Sequence, residues 1–427
     1  TASTDSPFDD PAGFVFGENE DQNVIKCGSY VGNGSSTGPE INLGWEPQYI
    51  LIKNTTTGGT GWRLFDSIRG IATGGDDEVL YPDSNSNADD VDRISLTSTG
   101  FKLTSTHFAT NEDGSNFVFM CIRRPDGYVG KPADAGTDVF AMDTGDSSGF
   151  PRFDSNFPVD FATSKWPTGA DNWITVSRLT GSTYVKTNSN DAQTNWTSAV
   201  LDSNSGWNDA RDSSYQSWMW KRHAGFDVVT FKGNGVDGRE ISHSLSKTPE
   251  MIWVKKRNNG GDWVIGHKGL NGGSNPWDYE IVLQTDSGSS DSSNKFNDTA
   301  PTSTHFTVGD SSWVNNDNDD YLSMLFSSIS GISKVGYYTG TGSSGNEQTV
   351  GFTPRFVIIK RTDSTGSWLV LDTTRGWGSG DDKYLYLNAN SAQGDYDWGA
   401  PTSTGFTLND HASANASSGK YIYYAHA

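Results

Sequence analysis

Pro354-Arg355-Phe356-Val357-Ile358-Ile359-Lys360, followed after a polar Gly-containing loop by Trp368-Leu369-Val370-Leu371-Asp372, is the stretch whose reading decides the fold. Two short apolar runs flanking a turn describe a β-hairpin. With Lys360 and Trp368 flanking the loop in antiparallel register, Ile359 faces Leu369, Ile358 faces Val370 and Val357 faces Leu371. Alternation then places Ile358 and Val370 on one face, with Val357, Ile359, Leu369 and Leu371 on the other. Both faces are apolar, so both are predicted to be covered, as in the central pair of a sandwich. Pro354 stands at the strand start, where a missing N–H costs least.

The hairpin recurs. Pro47 to Lys53 followed by Trp62, and Pro249 to Lys255 followed by Trp263, repeat the order Pro, apolar strand, Lys, polar loop, Trp. Each copy opens with an aromatic-x-Gly-x-Gly element: Tyr30 to Gly34, Phe231 to Gly235 and Tyr338 to Gly342. Near its end comes Thr-Ser-Thr-(Gly/His)-Phe, at 97–101 with a second version at 104–108, at 302–306 and at 402–406. Aromatic-rich strands close the copies, beginning at Phe117, Tyr321 and Tyr421. A weaker segment carries Asn172-Trp173-Ile174-Thr175-Val176, Thr183 to Lys186 and Trp218-Met219-Trp220-Lys221, and reads as a diverged copy without the Pro-strand-Lys element. The predicted fold is all-β, a tandem array of jelly-roll-like β-sandwich repeats of about 100 residues, a size at which such a domain buries its own core. The expected division is a lead-in segment, 1–21, then repeat A (22–126), diverged repeat B (127–225), repeat C (226–330) and repeat D (331–427). Because only Ser327 to Gly331 separate the close of C from the opening of D, the repeats are expected to meet end to end as separate beads.

Composition agrees. Ten of the 52 acids are Glu and the rest Asp, and with 49 Gly among 427 residues the chain favours turns over helices. Aromatics make up 12%, too many for a disordered acidic chain. The net charge of −21 repels phosphate backbones, which argues against a nucleic-acid partner. The longest apolar run, Phe117 to Ile122, is far shorter than the roughly 20 residues of a membrane helix. The start, Thr1-Ala2-Ser3-Thr4-Asp5, lacks an initiator Met and a signal-like segment, which suggests removal upstream or a longer chain. Cys27 and Cys121 are the only two cysteines, too few for a disulfide framework.

Gly351 to Lys360, then Trp368, Asp372 and Arg375-Gly376, then Ala400 to Phe406, together with Ser6-Pro7-Phe8-Asp9-Asp10 and Gln22 to Tyr30, resemble a repeat module of virion and tail-fibre proteins of marine bacteriophages, notably those infecting cyanobacteria. The resemblance covers repeats A and D well and C partly. It implies a structural or adhesive role on an external virion particle, with other virion proteins, copies of the same chain (a trimer among the options) and a host-surface glycan as partners. It carries no catalytic residues across.

No nucleophile elbow is present, and a His that alternates with Gly between copies, as His107 and His305 do with Gly100 and Gly405, reads as a turn residue. Asp66 and Asp372 recur four residues after their Trp, where His267 stands in repeat C, and read as strand-end caps or partners of Arg69 and Arg375. Calcium needs six to eight oxygens from a loop. The dense acidic turns supply candidates for a structural calcium ion: Asp76 and Asp77, Asp381 and Asp382, and Asp317, Asp319 and Asp320. Sugar stacking needs exposed aromatic faces. Trp207, Trp277, Trp377 and Trp398, in polar Gly-rich surroundings, are the candidates, whereas Trp62, Trp263 and Trp368 are predicted to be buried. The expected function is a non-enzymatic structural protein of a phage virion, a tail fibre or other appendage. A secreted glycan-binding adhesin or filament subunit is the alternative, and a glycan depolymerase ranks behind both.

Overall fold

The computed structural model describes residues 24–124, 133–209, 211 and 213–427. The lead-in 1–21 and the expected boundary between A and B lie outside the described residues. The fold is all-β, built from antiparallel sheets. The chain divides into two compact units, Thr1–Pro132 and Ala133–Ala427.

The deciding hairpin forms in the expected register. Strand Phe356–Arg361 pairs with Leu369–Asp372, with Val357 opposite Leu371, Ile358 opposite Val370 and Ile359 opposite Leu369. It lies inside a six-stranded sheet ordered Ser333–Thr339, Lys420–His426, Phe356–Arg361, Leu369–Asp372, Asp382–Tyr386 and Gly394–Tyr396. A second, two-stranded sheet pairs Asn346–Thr349 with Gly405–Leu408. Val357, Ile359, Leu369 and Leu371 pack with Phe406 and Leu408 into the sandwich core between them. The first and last strands of the repeat pair at one side, so each repeat closes on itself.

The same strand order holds in the sheets that begin with Ile25–Val31, Phe140–Thr144 and Phe226–Lys232. The aromatic-x-Gly-x-Gly element has a structural reason. Its aromatic stacks on the first aromatic of the closing strand: Tyr30 on Phe117 at 4.9 Å, Phe231 on Tyr321 at 5.1 Å and Tyr338 on Tyr421 at 5.0 Å. The next glycine passes so close to a carbonyl (Glu112, Asn316 or Ala416) that a Cβ would clash, and the second glycine has a positive φ in all three.

Repeat B contains the element that its sequence conceals. Strand Phe161–Lys165 occupies the Pro-strand-Lys position, three residues after Pro158, pairing with Ile174–Ser177 and with the closing strand Gln216–Trp220. Only Phe161 and Ala162 in it are apolar, so alternation could not be read, yet all five residues are buried.

The end-to-end arrangement expected of the repeats is corrected within Ala133–Ala427, where B, C and D close into a ring. Lys165 of B donates to Asn390 O of D, Lys255 of C to Asn190 O of B, and Lys360 of D to Asp286 O of C, each at 3.1 Å. The following Trp points the same way: Trp173 Nε1 donates to Tyr386 O (2.9 Å), Trp263 Nε1 to Lys186 O (2.8 Å) and Trp368 Nε1 to Val282 O (3.3 Å). Three equivalent contacts in cyclic order describe a pseudo-threefold assembly within one chain. Burial holds the three lysine pKa values down at about 8, while carbonyls of the home loop and of the neighbour accept hydrogen bonds from the ammonium groups.

The sheet faces turned away from the sandwich cores meet at the centre of the ring. Phe140 lies 4.9 Å from Trp220, 5.1 Å from Phe356 and 4.6 Å from His426, and Phe326 lies 5.1 Å from Phe226 and 4.9 Å from Tyr424. Aromatic pairs of this kind are worth about 0.5–1.5 kcal/mol each beyond area burial. The centre is filled, with a residual void of about 10 Å³ lined by Phe161, Trp218, Trp253, Phe326, Ile358 and Val370 among others. Ile358→Ala is expected to cost about 2–5 kcal/mol as a core cavity. Because its neighbours come from B and C, the loss should shift one cooperative transition of Ala133–Ala427. Urea unfolding monitored with limited proteolysis would test this, and release of D alone while B and C stay folded would refute the shared core.

Candidate functional site

The four tryptophans read as sugar platforms are all buried, which corrects that reading. Trp207 stacks on Phe153 at 5.1 Å and donates Nε1 to Ser217 Oγ at 2.9 Å. It holds the place of Phe406: Ser203-Asn204-Ser205-Gly206-Trp207 is the Thr-Ser-Thr-Gly-Phe motif of repeat B, with the Ser205 N–H turned back to Ser203 Oγ as the Thr404 N–H is to Thr402 Oγ1. Trp277 packs edge-on against Phe296, and Trp377 against Phe406 with Nε1 donating to Gly399 O at 2.9 Å. Trp398 is enclosed by Tyr384, Tyr396 and His411. Their polar, Gly-rich neighbours are loops folded over the sandwich ends, and the indoles plug the cores beneath. Trp263 and Trp368 are buried as expected, while Trp62 is half-buried.

The acidic candidates separate into pairs with distinct roles. Asp77 accepts the backbone N–H groups of Ala72, Arg93 and Ile94 at 2.9–3.0 Å, and Asp382 accepts those of Gly378 and Trp398 at 2.9 Å. Burial pushes Asp77 up to about 8 against those three donors, and raises Asp382 likewise. Asp76 and Asp381 lie exposed beside them. Asp319 accepts from Lys256, Asn259 and Asn316, Asp320 pairs with Lys232 at 3.1 Å, and Asp317 is exposed. Among the described residues no three His, Cys, Asp or Glu side chains converge as a metal would require.

Asp66 and Asp372 cap their strand ends as expected, each accepting the backbone N–H three residues on at 2.9 Å and the Nε of Arg69 or Arg375 at 2.7 Å. Asp372 also receives the Trp218 indole N–H of repeat B at 3.1 Å. His267 does the equivalent work in C, its Nδ1 accepting the Gly269 N–H at 2.9 Å. The device recurs: Nδ1 of His107, His223, His243 and His411 accepts the backbone N–H two residues on. His107 and His411 thereby start equivalent short helices, so His107 corresponds to His411 and not to His305, which pairs with Glu240 at 3.2 Å. Burial lowers His107 and His223 to about 4 and His267 to about 3. In each of these turns the ring accepts a backbone N–H through Nδ1.

A cleft of about 110 Å³ between C and D is lined by Gly269, Gly272, Tyr337, Thr339, Lys420 and Tyr421. Tyr337 is 47% exposed, and its ring lies along the Gly269–Gly273 loop, where a Cβ on either glycine would strike it. Lys420 Nζ donates to Thr339 Oγ1 at 2.9 Å across the mouth. Flat aromatic, hydroxyl and ammonium groups around a shallow cleft of mixed polarity are the kinds of group that contact a sugar ring. Tyr337 has no counterpart in repeats B and C, where Thr144 and Thr230 take its strand position, so no repeated motif marks it in the sequence.

Comparison with known proteins finds a match to a domain of unknown function, DUF7483, over residues 10–124 and 171–427. The chain belongs to the DUF7483 family. No curated protein and no solved structure matches it. The DUF7483 match takes in the hairpins of A, C and D and leaves out 125–170, the part of B that contains the disguised strand Phe161–Lys165.

Two measurements probe these assignments. Because Asp77, Asp319 and Asp382 already hold protein donors, chelation with EGTA is expected to leave the melting temperature unchanged; a fall of several degrees, restored by calcium, would overturn this. His267 is depressed in the folded chain to about 3, below its unfolded value near 6.5. Its contribution is therefore complete above pH 6.5 and is lost as pH falls from 6.5 towards 3, because only the unfolded chain takes up the proton there. His267→Asn retains an acceptor for Gly269 and is expected to reduce the acid-side slope of stability against pH by about 1.4 kcal/mol per unit. Parallel slopes in urea titrations of the two proteins would contradict it.

Proposed function

We propose that the chain is a structural protein of a phage virion, a tail fibre or other external appendage that contributes to host-surface attachment. The observation that carries this reading is the ring of B, C and D, whose catalytic-type side chains serve as caps, staples and joints around a filled centre. A repeat-built β body gains size and surface by reusing one small domain. Its charge of −21 keeps densely arrayed copies soluble, and sea-water salt screens their repulsion. The likeness of the repeat to marine-phage modules points the same way. Immunoelectron microscopy of purified particles with antibody against the chain is the test: label on tail or appendage supports the proposal, and unlabelled particles that retain full infectivity reject it.

The Tyr337 cleft favours a second reading, a secreted adhesin that binds glycan. Under either reading, Tyr337→Ala is expected to abolish retention on a host polysaccharide column with little change in melting temperature, since the side chain is half exposed. Retention equal to that of the unaltered protein would remove the cleft from the attachment site.

A further inference from the structure

We propose that three copies of this chain associate through the outer sheet face of repeat A, in the same threefold arrangement that B, C and D adopt within one chain. The inference rests on the geometry of the repeats and is independent of the virion reading.

Alternation in repeat A is clean. On the sandwich face, Ile50, Ile52, Phe65, Val79, Phe119 and Cys121 are buried. On the opposite face the alternate residues of one row are half-buried or exposed although most are apolar. Cys27, Met120, Leu51, Leu64 and Leu80 form one continuous row across five neighbouring strands. None of the five is buried; Leu80 is 36% exposed, and beside the row Ile25 is 57% and Val118 38% exposed. Strand register identifies their counterparts in D. Met120, Leu51, Leu64 and Leu80 correspond to Tyr424, Ile358, Val370 and Leu385, and Val118 corresponds to Ile422. All five are buried, and Ile358, Val370, Ile422 and Tyr424 line small voids shared with residues of B or C. A sheet face of this composition is thus a contact surface three times over in Ala133–Ala427, and repeat A, taken within its own unit, has no sister repeat to cover it.

The polar joints are present as well. Lys53 and Trp62 stand where Lys360 and Trp368 stand, and Asn85 stands where Asn390 offers its carbonyl to Lys165. Within the described residues Lys53 Nζ reaches Thr60 Oγ1 at 3.4 Å, on its home loop, and Trp62 bonds through its backbone. The neighbour's carbonyls that complete both side chains in B, C and D are what a second and third copy of A would bring. Three copies satisfy all three sets of joints, because the contact is head to tail and closes after a rotation of one third.

Sedimentation equilibrium of the full chain at micromolar concentration is the test. The expected mass is about 139 kDa, three times the 46.3 kDa chain. Leu51→Glu combined with Met120→Glu, and separately Val118→Lys, should each yield monomer, with circular dichroism and the unfolding of Ala133–Ala427 unchanged. Val118 is the safer of the two sites for folding, because its side chain is already exposed. An unaltered protein that sediments as monomer or dimer overturns the proposal, as does a trimer that persists in Val118→Lys, which would place the contact elsewhere.

Discussion

A β-hairpin that is apolar on both faces has to be covered twice, and the rest of this structure follows from that requirement. The first cover is local. Each repeat folds a small second sheet and its loops over one face, sealing it with Phe406 or Trp207 and with indoles such as Trp398. The second cover has to come from outside the repeat. In Ala133–Ala427 it comes from two sister repeats, whose faces meet in a cluster of aromatic rings at a common axis. The hydrophobic effect is non-directional, so it demands this contact without specifying its geometry.

Direction comes from the buried lysines and tryptophans. A lysine at the end of the central strand cannot reach water, and each of the three solves the problem identically, with carbonyls from its home loop and from the neighbour. An ammonium left without those acceptors would be costly, so the acceptors select one orientation and one neighbour. The adjoining indole N–H repeats the selection. Three repeats with one donor side and one acceptor side each exhaust all the joints when they form a ring.

Polar side chains that look chemical in the sequence are consumed by this scaffold. Histidines accept turn N–H groups, aspartates bind two or three backbone amides, and the recurrent Asp–Arg pair fastens a strand end under a neighbour's tryptophan. Buried groups in such roles are fixed in position by the backbone that they bind. At the surface Tyr337 departs from its counterparts Thr144 and Thr230.

The sequence alone determined the all-β class, the hairpin register, the Asp66–Arg69 and Asp372–Arg375 caps and the burial of Trp263 and Trp368, because these follow from period-2 alternation and contacts only a few residues apart. It could not reveal Phe161–Lys165 as the missing central strand. Three of those five residues are polar, and only the sister sheets around them make the position a buried one. Nor could it distinguish Trp207, Trp277, Trp377 and Trp398 as core plugs from surface platforms, since polar loop neighbours in sequence are not neighbours in space. The ring was decided by tertiary structure: the carbonyls that receive Lys165, Lys255 and Lys360 lie 65 to 225 residues away in the chain. A backbone carbonyl looks alike at every residue, so its role as a joint exists only once the fold has brought it there.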